Sequence, residues 1–281
     1  MRLLIFGFGY SATAIAEELR GRAEWIGGTV RDESKAAAAK NAGVEPLLFG
    51  GAQISAALAQ ATHIIQSIPP GDSGDPVLAR HADEIRTAKN LRWIGYLSTV
   101  GVYGDHGGAW VNEDTPPNPQ QPRTRARVEA ETAWGQIGQP LATFRIAGIY
   151  GPGRNALINI ADGSARRIVK QDQIFNRVHV ADIGASVATA AMQEATGVFN
   201  LADDEPAPPQ DVIAFAANLM GVAPPPEIDF ATAELSPMAR SFYGENRRVA
   251  NTRLKRDLGL SLRFPTYREG LSGMWRDGSW R

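Results

Sequence analysis

Residues 7–12 read Gly7-Phe8-Gly9-Tyr10-Ser11-Ala12, directly after the apolar run Leu3–Phe6 and directly before a helix-forming stretch, Thr13–Arg20. In a strand–turn–helix context this G-x-G-x-x-A spacing fits the fingerprint that receives a dinucleotide pyrophosphate. Gly7 permits the tight turn, Gly9 lets the backbone approach the pyrophosphate, and the small Ala12 allows the helix to pack closely on the strand. The helix start supplies N–H donors and positive potential. The competing reading is an ordinary glycine-rich turn, and the strand–helix alternation that follows favours the first.

The end of the second apolar run chooses between two cofactors. NAD-specific folds place an acidic residue there, about twenty residues past the loop, to accept from the ribose hydroxyls. In this chain Trp25–Val30 runs into Arg31, with Lys35 one helical turn further on. A guanidinium pairs bidentately with a 2′-phosphate, so the expected cofactor is NADP. The alternative is NAD, with Asp32 on the ribose and Arg31 and Lys35 as solvated charges. Ile68 and Pro69 follow the fourth apolar run and complete the expected cofactor set, passing beside the pyrophosphate.

Ser98 and Thr99 end the fifth run, where ligands of open parallel sheets bind, so their hydroxyls are candidates to hold a substrate oxygen. The next loop carries Asp105, His106, Glu113 and Asp114. These are solvated loop charges or substitute acid/base groups, His106 being the best placed. His179 and Asp182 flank a helix start and read as a capping and loop-anchoring pair. With no cysteine and four histidines without local pairing, thiolate chemistry, disulfides and a local zinc site are excluded, and no metal is expected.

These residues need a scaffold that brings strand ends together. Strand candidates at 3–6, 25–30, 46–49, 63–67, 93–98, 142–146 and 198–201 alternate with helix candidates at 13–20, 33–41, 54–59, 76–89, 180–193 and 210–220. That alternation predicts an α/β class, a doubly wound parallel Rossmann sheet of about seven strands. In the 281-residue chain, residues 1–150 form the dinucleotide-binding core. Residues 151–281 complete the sheet and build a small substrate-binding cap from segments near 151–175 and 203–265. Proline clusters at 116–122, 206–209 and 224–226 mark loops.

A net charge of −1 gives no general attraction to nucleic acid or anionic membranes, and the run Arg247, Arg248, Arg253, Lys255, Arg256 reads as a solvated helix face. No apolar run reaches the roughly 18 residues that span a bilayer. Arg2–Phe6 followed by Ala12-Thr13-Ala14 is a faint secretory-leader pattern, but cleavage there would delete the glycine loop. The expected location is cytoplasmic, the expected partner a small-molecule substrate, and a homodimer is admitted.

Leu97-Ser98-Thr99-Val100-Gly101-Val102-Tyr103-Gly104 resembles the active-site strand of the extended short-chain dehydrogenases/reductases, the family of NAD-dependent epimerases and dehydratases. Arg145 with Tyr150-Gly151-Pro152-Gly153, the segment Arg177–Asp182, Phe199–Pro206 and Pro265–Leu271 extend the resemblance over nearly the whole chain. In that family a tyrosine and a lysine four residues later supply acid/base chemistry and ribose binding. No tyrosine lies between Tyr103 and Tyr150, and aligning Ala126–Glu131 with the helix around the lysine puts Arg123 at the tyrosine position and Arg127 at the lysine position. The resemblance thus implies an atypical member, with Ser98, Thr99, Arg123 and Arg127 as its catalytic set and Arg127 also on the cofactor ribose or phosphate. It implies an NADP(H)-binding oxidoreductase or epimerase-like protein acting on a small polar or sugar-derived carbonyl or hydroxyl compound. The alternative is a catalytically silent dinucleotide-binding or redox-sensing module.

Overall fold

Seven short runs rich in β-branched, aromatic and leucine side chains each become a strand of one sheet, in a computed structural model that describes residues 1–281. They are β1 (Arg2–Phe6), β2 (Trp25–Val30), β3 (Glu45–Leu48), β4 (His63–Gln66) and β5 (Trp93–Thr99), then the strands Leu141–Ile146 and Gly197–Leu201. From one edge the order is Gly197–Leu201, Leu141–Ile146, β5, β4, β1, β2, β3. β1 pairs in parallel with both β2 and β4, and β2·β3 and β4·β5 are parallel as well. This is the doubly wound Rossmann order, which reverses between β1 and β4, and the crevice outside the carboxyl ends of those strands is where such sheets take ligands. Class and strand count are as the sequence predicts.

Helices α1 (Tyr10–Leu19), α2 (Ala36–Asn41), α3 (Gln53–Gln60), α4 (Leu78–Thr87) and α5 (Pro122–Gly135) accompany these strands. Two boundaries depart from expectation for local reasons. Ser34 donates to the Asp32 carboxylate, and this side-chain bond competes with the regular helix. Residues Glu33–Lys35 therefore form a 3-10 turn ahead of α2. α4 starts at Leu78 because Asp75 Oδ1 accepts the N–H groups of Val77 at 2.9 Å and Leu78 at 3.1 Å, satisfying donors that a helix start leaves open. The core around these elements includes Leu4, Phe6, Ile54, Ile64, Ile94, Tyr96 and Trp134, all buried.

Two compact units interleave along the chain. The first comprises Met1–Val102, Pro122–Arg145 and Ile183–Phe199, and the second Tyr103–Gln121, Ile146–Asp182 and Asn200–Arg281. The second unit is built from short parallel strand pairs, Gly148–Tyr150 with Arg177–His179 and Arg167–Val169 with Glu227–Asp229. Its helices include Pro209–Leu219 and Tyr267–Asp277, which join Tyr150, Ala156 and Leu157 in a separate buried cluster. No helix is long and apolar enough to cross a membrane.

Candidate functional site

The glycine loop leaves β1 with Gly7 at φ +86°, a left-handed value that favours glycine. A Cβ there would also lie 2.8 Å from Ile68 Cγ1 and 3.1 Å from the Ile68 nitrogen. The Gly7 N–H donates to Thr29 Oγ1 and the Phe8 N–H to the Thr29 carbonyl, both at 2.8 Å, so β2 holds the turn. Gly9 differs in kind. Its φ of −136° suits any residue, and a Cβ built on it meets nothing within 4 Å. The fold itself does not demand glycine at this position, which is exposed and faces open space. α1 begins here with no side-chain cap and no acidic residue in its first turn, as an anion-receiving helix start requires. Tyr10 and Ser11 are half-buried in that turn and Ala12 is fully buried against the sheet.

Ile68 is held against Gly7 by a buried polar chain. Its N–H donates to Gln66 Oε1 at 2.8 Å, while Gln66 Nε2 at 2.7 Å and Trp134 Nε1 at 2.9 Å both donate to Asp75 Oδ2. One carboxylate thus caps α4, anchors α5 and fixes the segment after β4, from which Pro69 continues outward. Sequence reasoning missed Gln66 and Asp75. A polar residue closing an apolar strand, and an Asp-Pro pair before a helical run, were the available signals.

At the far end of the loop's strand pair, Arg31 is exposed immediately after β2, and Lys35 is exposed in the 3-10 turn. Asp32 accepts from Ser34 Oγ, which with the neighbouring N–H groups and Lys35 holds its carboxyl below the usual carboxylate range. Asp32 is therefore engaged within its own turn, whereas Arg31 makes no ion pair with the chain.

The end of β5 carries two residues of the expected catalytic set, Ser98 and Thr99, and Ser98 meets two partners that the sequence does not suggest. Ser98 Oγ donates to Glu131 Oε1 at 2.5 Å, and Arg145 donates to the same carboxylate through Nη2 at 2.8 Å. Ser98 and Arg145 are each 5% exposed, so serine, glutamate and arginine form a buried triad. The hydroxyl expected to face substrate is thus already committed to a carboxylate. Thr99 Oγ1 accepts the Gly101 N–H at 3.1 Å and keeps its own proton to donate. Arg127 Nη1 donates to the Leu97 carbonyl at 2.7 Å and reaches the Tyr96 hydroxyl at 3.4 Å, tying α5 to β5. Burial pushes the Tyr96 phenol up to about 12. Arg123 sits one turn earlier on α5 and is exposed.

In the second unit the remaining candidates are occupied structurally. Asp182 accepts the N–H groups of Arg263 at 2.6 Å and Phe264 at 3.1 Å, a loop anchor as the sequence suggests. His179 packs 4.0 Å from the Phe264 ring, and burial pushes its imidazole down to about 4, so it is neutral. Asp105 accepts from the Asn246 N–H, Glu113 from the Asn200 N–H, and Asp114 pairs with Arg253. His106 Nε2 bonds the Tyr103 carbonyl at 3.1 Å. Tyr103 is fully buried and its hydroxyl donates to Asn200 Oδ1 at 2.7 Å.

Sheet order, glycine loop and helix start together define a doubly wound Rossmann fold, the fold of solved NAD-dependent epimerases and dehydratases. The chain belongs to the same family as a conserved, functionally unknown protein of Silicibacter pomeroyi, with 48% identity, 99% of each chain covered and a TM-score of 0.93. It is 27% identical to a 3-diazoavenalumate denitrifying reductase of a Streptomyces species, over 96% of this chain and 99% of the other. A human epimerase family protein solved with NADPH shares the fold at TM-score 0.76 and 17% identity, over 99% of this chain and all of that one. Other proteins of this fold are solved with NAD. No family model matches the chain.

Proposed function

We propose that this protein is an NADP(H)-dependent oxidoreductase or epimerase-like enzyme acting on a small polar carbonyl or hydroxyl compound. The observation that carries the reading is the open face of Gly9, at an uncapped helix start two residues past Gly7, which packs on Ile68, and at the point where the strand order reverses. The likeness to a reductase and to proteins solved with NADPH or NAD supports it. Gly7–Ala12 hold the pyrophosphate, Ile68 and Pro69 flank it, and Arg31 with Lys35 receive the 2′-phosphate. When bound, the nicotinamide supplies the hydride or takes it. Thr99 donates to the substrate oxygen, and Arg123 offers a fixed cation to an anionic substrate group or a polarised carbonyl. Arg127 spends Nη1 on the Leu97 carbonyl and the Tyr96 hydroxyl and keeps Nη2 and Nε for ribose or phosphate.

Gly9→Val tests the reading directly. The new side chain meets no protein atom at its Cβ, so the fold is expected to survive while pyrophosphate approach is blocked. NADPH should raise the thermal midpoint of the wild type and leave that of the variant unmoved. An undiminished NADPH shift in folded Gly9→Val would overturn the assignment.

Cofactor choice rests on Arg31. A charge-assisted contact is worth about 1.5–3 kcal/mol, or about ten- to a hundredfold in affinity. Calorimetric titration is expected to show NADPH binding more tightly than NADH by that factor, and Arg31→Ala to erase the gap. Equal affinities in the wild type would move the ribose contact to Asp32 and the cofactor to NAD.

A second reading, a dinucleotide-binding module without turnover, is favoured by one observation. The resemblance puts arginines at the tyrosine and lysine positions, and Arg127 is engaged with strand backbone. NADPH binding without oxidation across a panel of carbonyl compounds would select it.

A further inference from the structure

The second unit holds a cavity that the dinucleotide reading leaves unused. Its volume is about 440 Å³, within the range of small-molecule sites. Three guanidiniums, Arg154, Arg166 and Arg177, line it together with an apolar wall that includes Val212, Ile213 and Leu271, and no carboxylate lines it.

These arginines are poorly compensated within the chain. Arg177 Nη1 donates to the carbonyls of Phe175 and Ala207, each at 3.1 Å, and the side chain has no ion pair. Its acidic neighbour Asp203 is 2% exposed, and burial pushes that carboxyl up to about 8, which weakens it as a counter-ion. A largely buried cation with only carbonyl acceptors in contact is costly, and it is stabilised by an anion supplied from outside. Arg166 spends Nη1 on the Glu234 carbonyl at 3.1 Å and keeps its other donors. Arg154 is exposed and its guanidinium makes no hydrogen bond to the chain. The backbone that carries it is fixed: Asn155 Nδ2 donates to the carbonyls of Gly151 at 2.8 Å and Trp280 at 2.7 Å. Tyr267 completes the wall, and its buried hydroxyl has no partner.

We propose that this cavity binds a small molecule in which an anionic group, phosphate or carboxylate, is attached to an apolar body. Arg154, Arg166 and Arg177 hold the anion, since planar guanidinium forks match both groups bidentately. Val212, Ile213 and Leu271 receive the body. The site shares no residue with the glycine loop and stands or falls independently of the dinucleotide assignment.

The test is calorimetric titration of the full chain, with NADPH saturating, using phenyl phosphate, benzoate and uncharged benzyl alcohol. Saturable binding of phenyl phosphate or benzoate, and none of benzyl alcohol, is expected, the tighter of the two anions identifying the headgroup. Arg154→Ala should weaken that anion about ten- to a hundredfold while leaving the melting temperature and NADPH affinity unchanged. Ile213→Trp, which fills the apolar side, should weaken it as well. Absence of saturable binding by either anion, or binding unaltered in Arg154→Ala, would overturn the proposal. The Arg154 variant decides even if the tryptophan variant does not fold.

Discussion

Replacing Glu131 with leucine is expected to destabilise the protein by about 3–5 kcal/mol, the usual consequence of removing one partner from a buried ion pair. The thermal midpoint should fall by on the order of 10 °C for a protein of this size. The reason is specific. Glu131 accepts from Ser98 Oγ at 2.5 Å and from Arg145 Nη2 at 2.8 Å, and the Arg145 side chain is only 6% exposed. Leucine would strand that guanidinium away from water. Ser98→Ala removes a single hydrogen bond to a charged acceptor and should cost about 1.5–3 kcal/mol. The double variant Glu131→Leu/Arg145→Met, which removes both charges, should recover much of the loss. Scanning calorimetry of the three variants checks the order. An unchanged midpoint in Glu131→Leu would show that water already solvates the pair. Loss of turnover in Ser98→Ala with an unchanged midpoint would return its hydroxyl to the substrate.

That triad also marks where the sequence stops being legible. The seven strands could be read because each is a short apolar run, and the glycine loop because its spacing and its flanking elements are contiguous. Ser98, Glu131 and Arg145 meet across 33 and 14 positions of chain. Nothing local distinguishes Glu131 from a solvated helix charge. The place of Ser98 at a strand end therefore suggests a substrate-facing hydroxyl and gives no sign of the partner that occupies it. Asp75 was hidden in the same way: its Asp-Pro pair announces a helix start, but its bonds to Gln66 and Trp134 need the folded sheet. α5 follows a proline-rich stretch and buries only Thr124, Ala130 and Trp134. Its apolar stripe is too thin to announce a helix, and only the family resemblance located it. The anion cavity draws its walls from residues between Ile149 and Leu271, so no window of sequence contains it.

On the proposed reading Arg123 and Arg127 stand at the tyrosine and lysine positions, so turnover on generic carbonyl compounds is expected to be slow: a positioned general acid/base typically contributes about 10²–10⁴ in rate. Arg123 and Arg127 occupy adjacent turns of α5, and a guanidinium stays protonated at every working pH. Neither Tyr103 nor Tyr96 is set up to substitute. Tyr103 is buried and donates to Asn200, while Tyr96 is buried beside Arg127, with its phenol pushed up to about 12 rather than down toward neutrality. Ionisation of Tyr96 is thus suppressed across the physiological range, and it adds no limb to a pH–rate profile there. The profile for NADPH oxidation is accordingly expected to be flat where a lowered tyrosine would titrate. Installing the missing pair, as Arg123→Tyr with Arg127→Lys, should raise the rate by about 10²–10⁴. Lysine at 127 keeps a donor for the Leu97 carbonyl, so the junction of α5 with β5 is expected to persist, and an unchanged melting temperature would verify it. Rapid wild-type reduction of uncharged carbonyl compounds, with a pH limb that vanishes in Tyr103→Phe, would show that a different tyrosine carries the proton. Slow turnover that the double substitution accelerates would place the deficit at the two arginines, with the dinucleotide site intact.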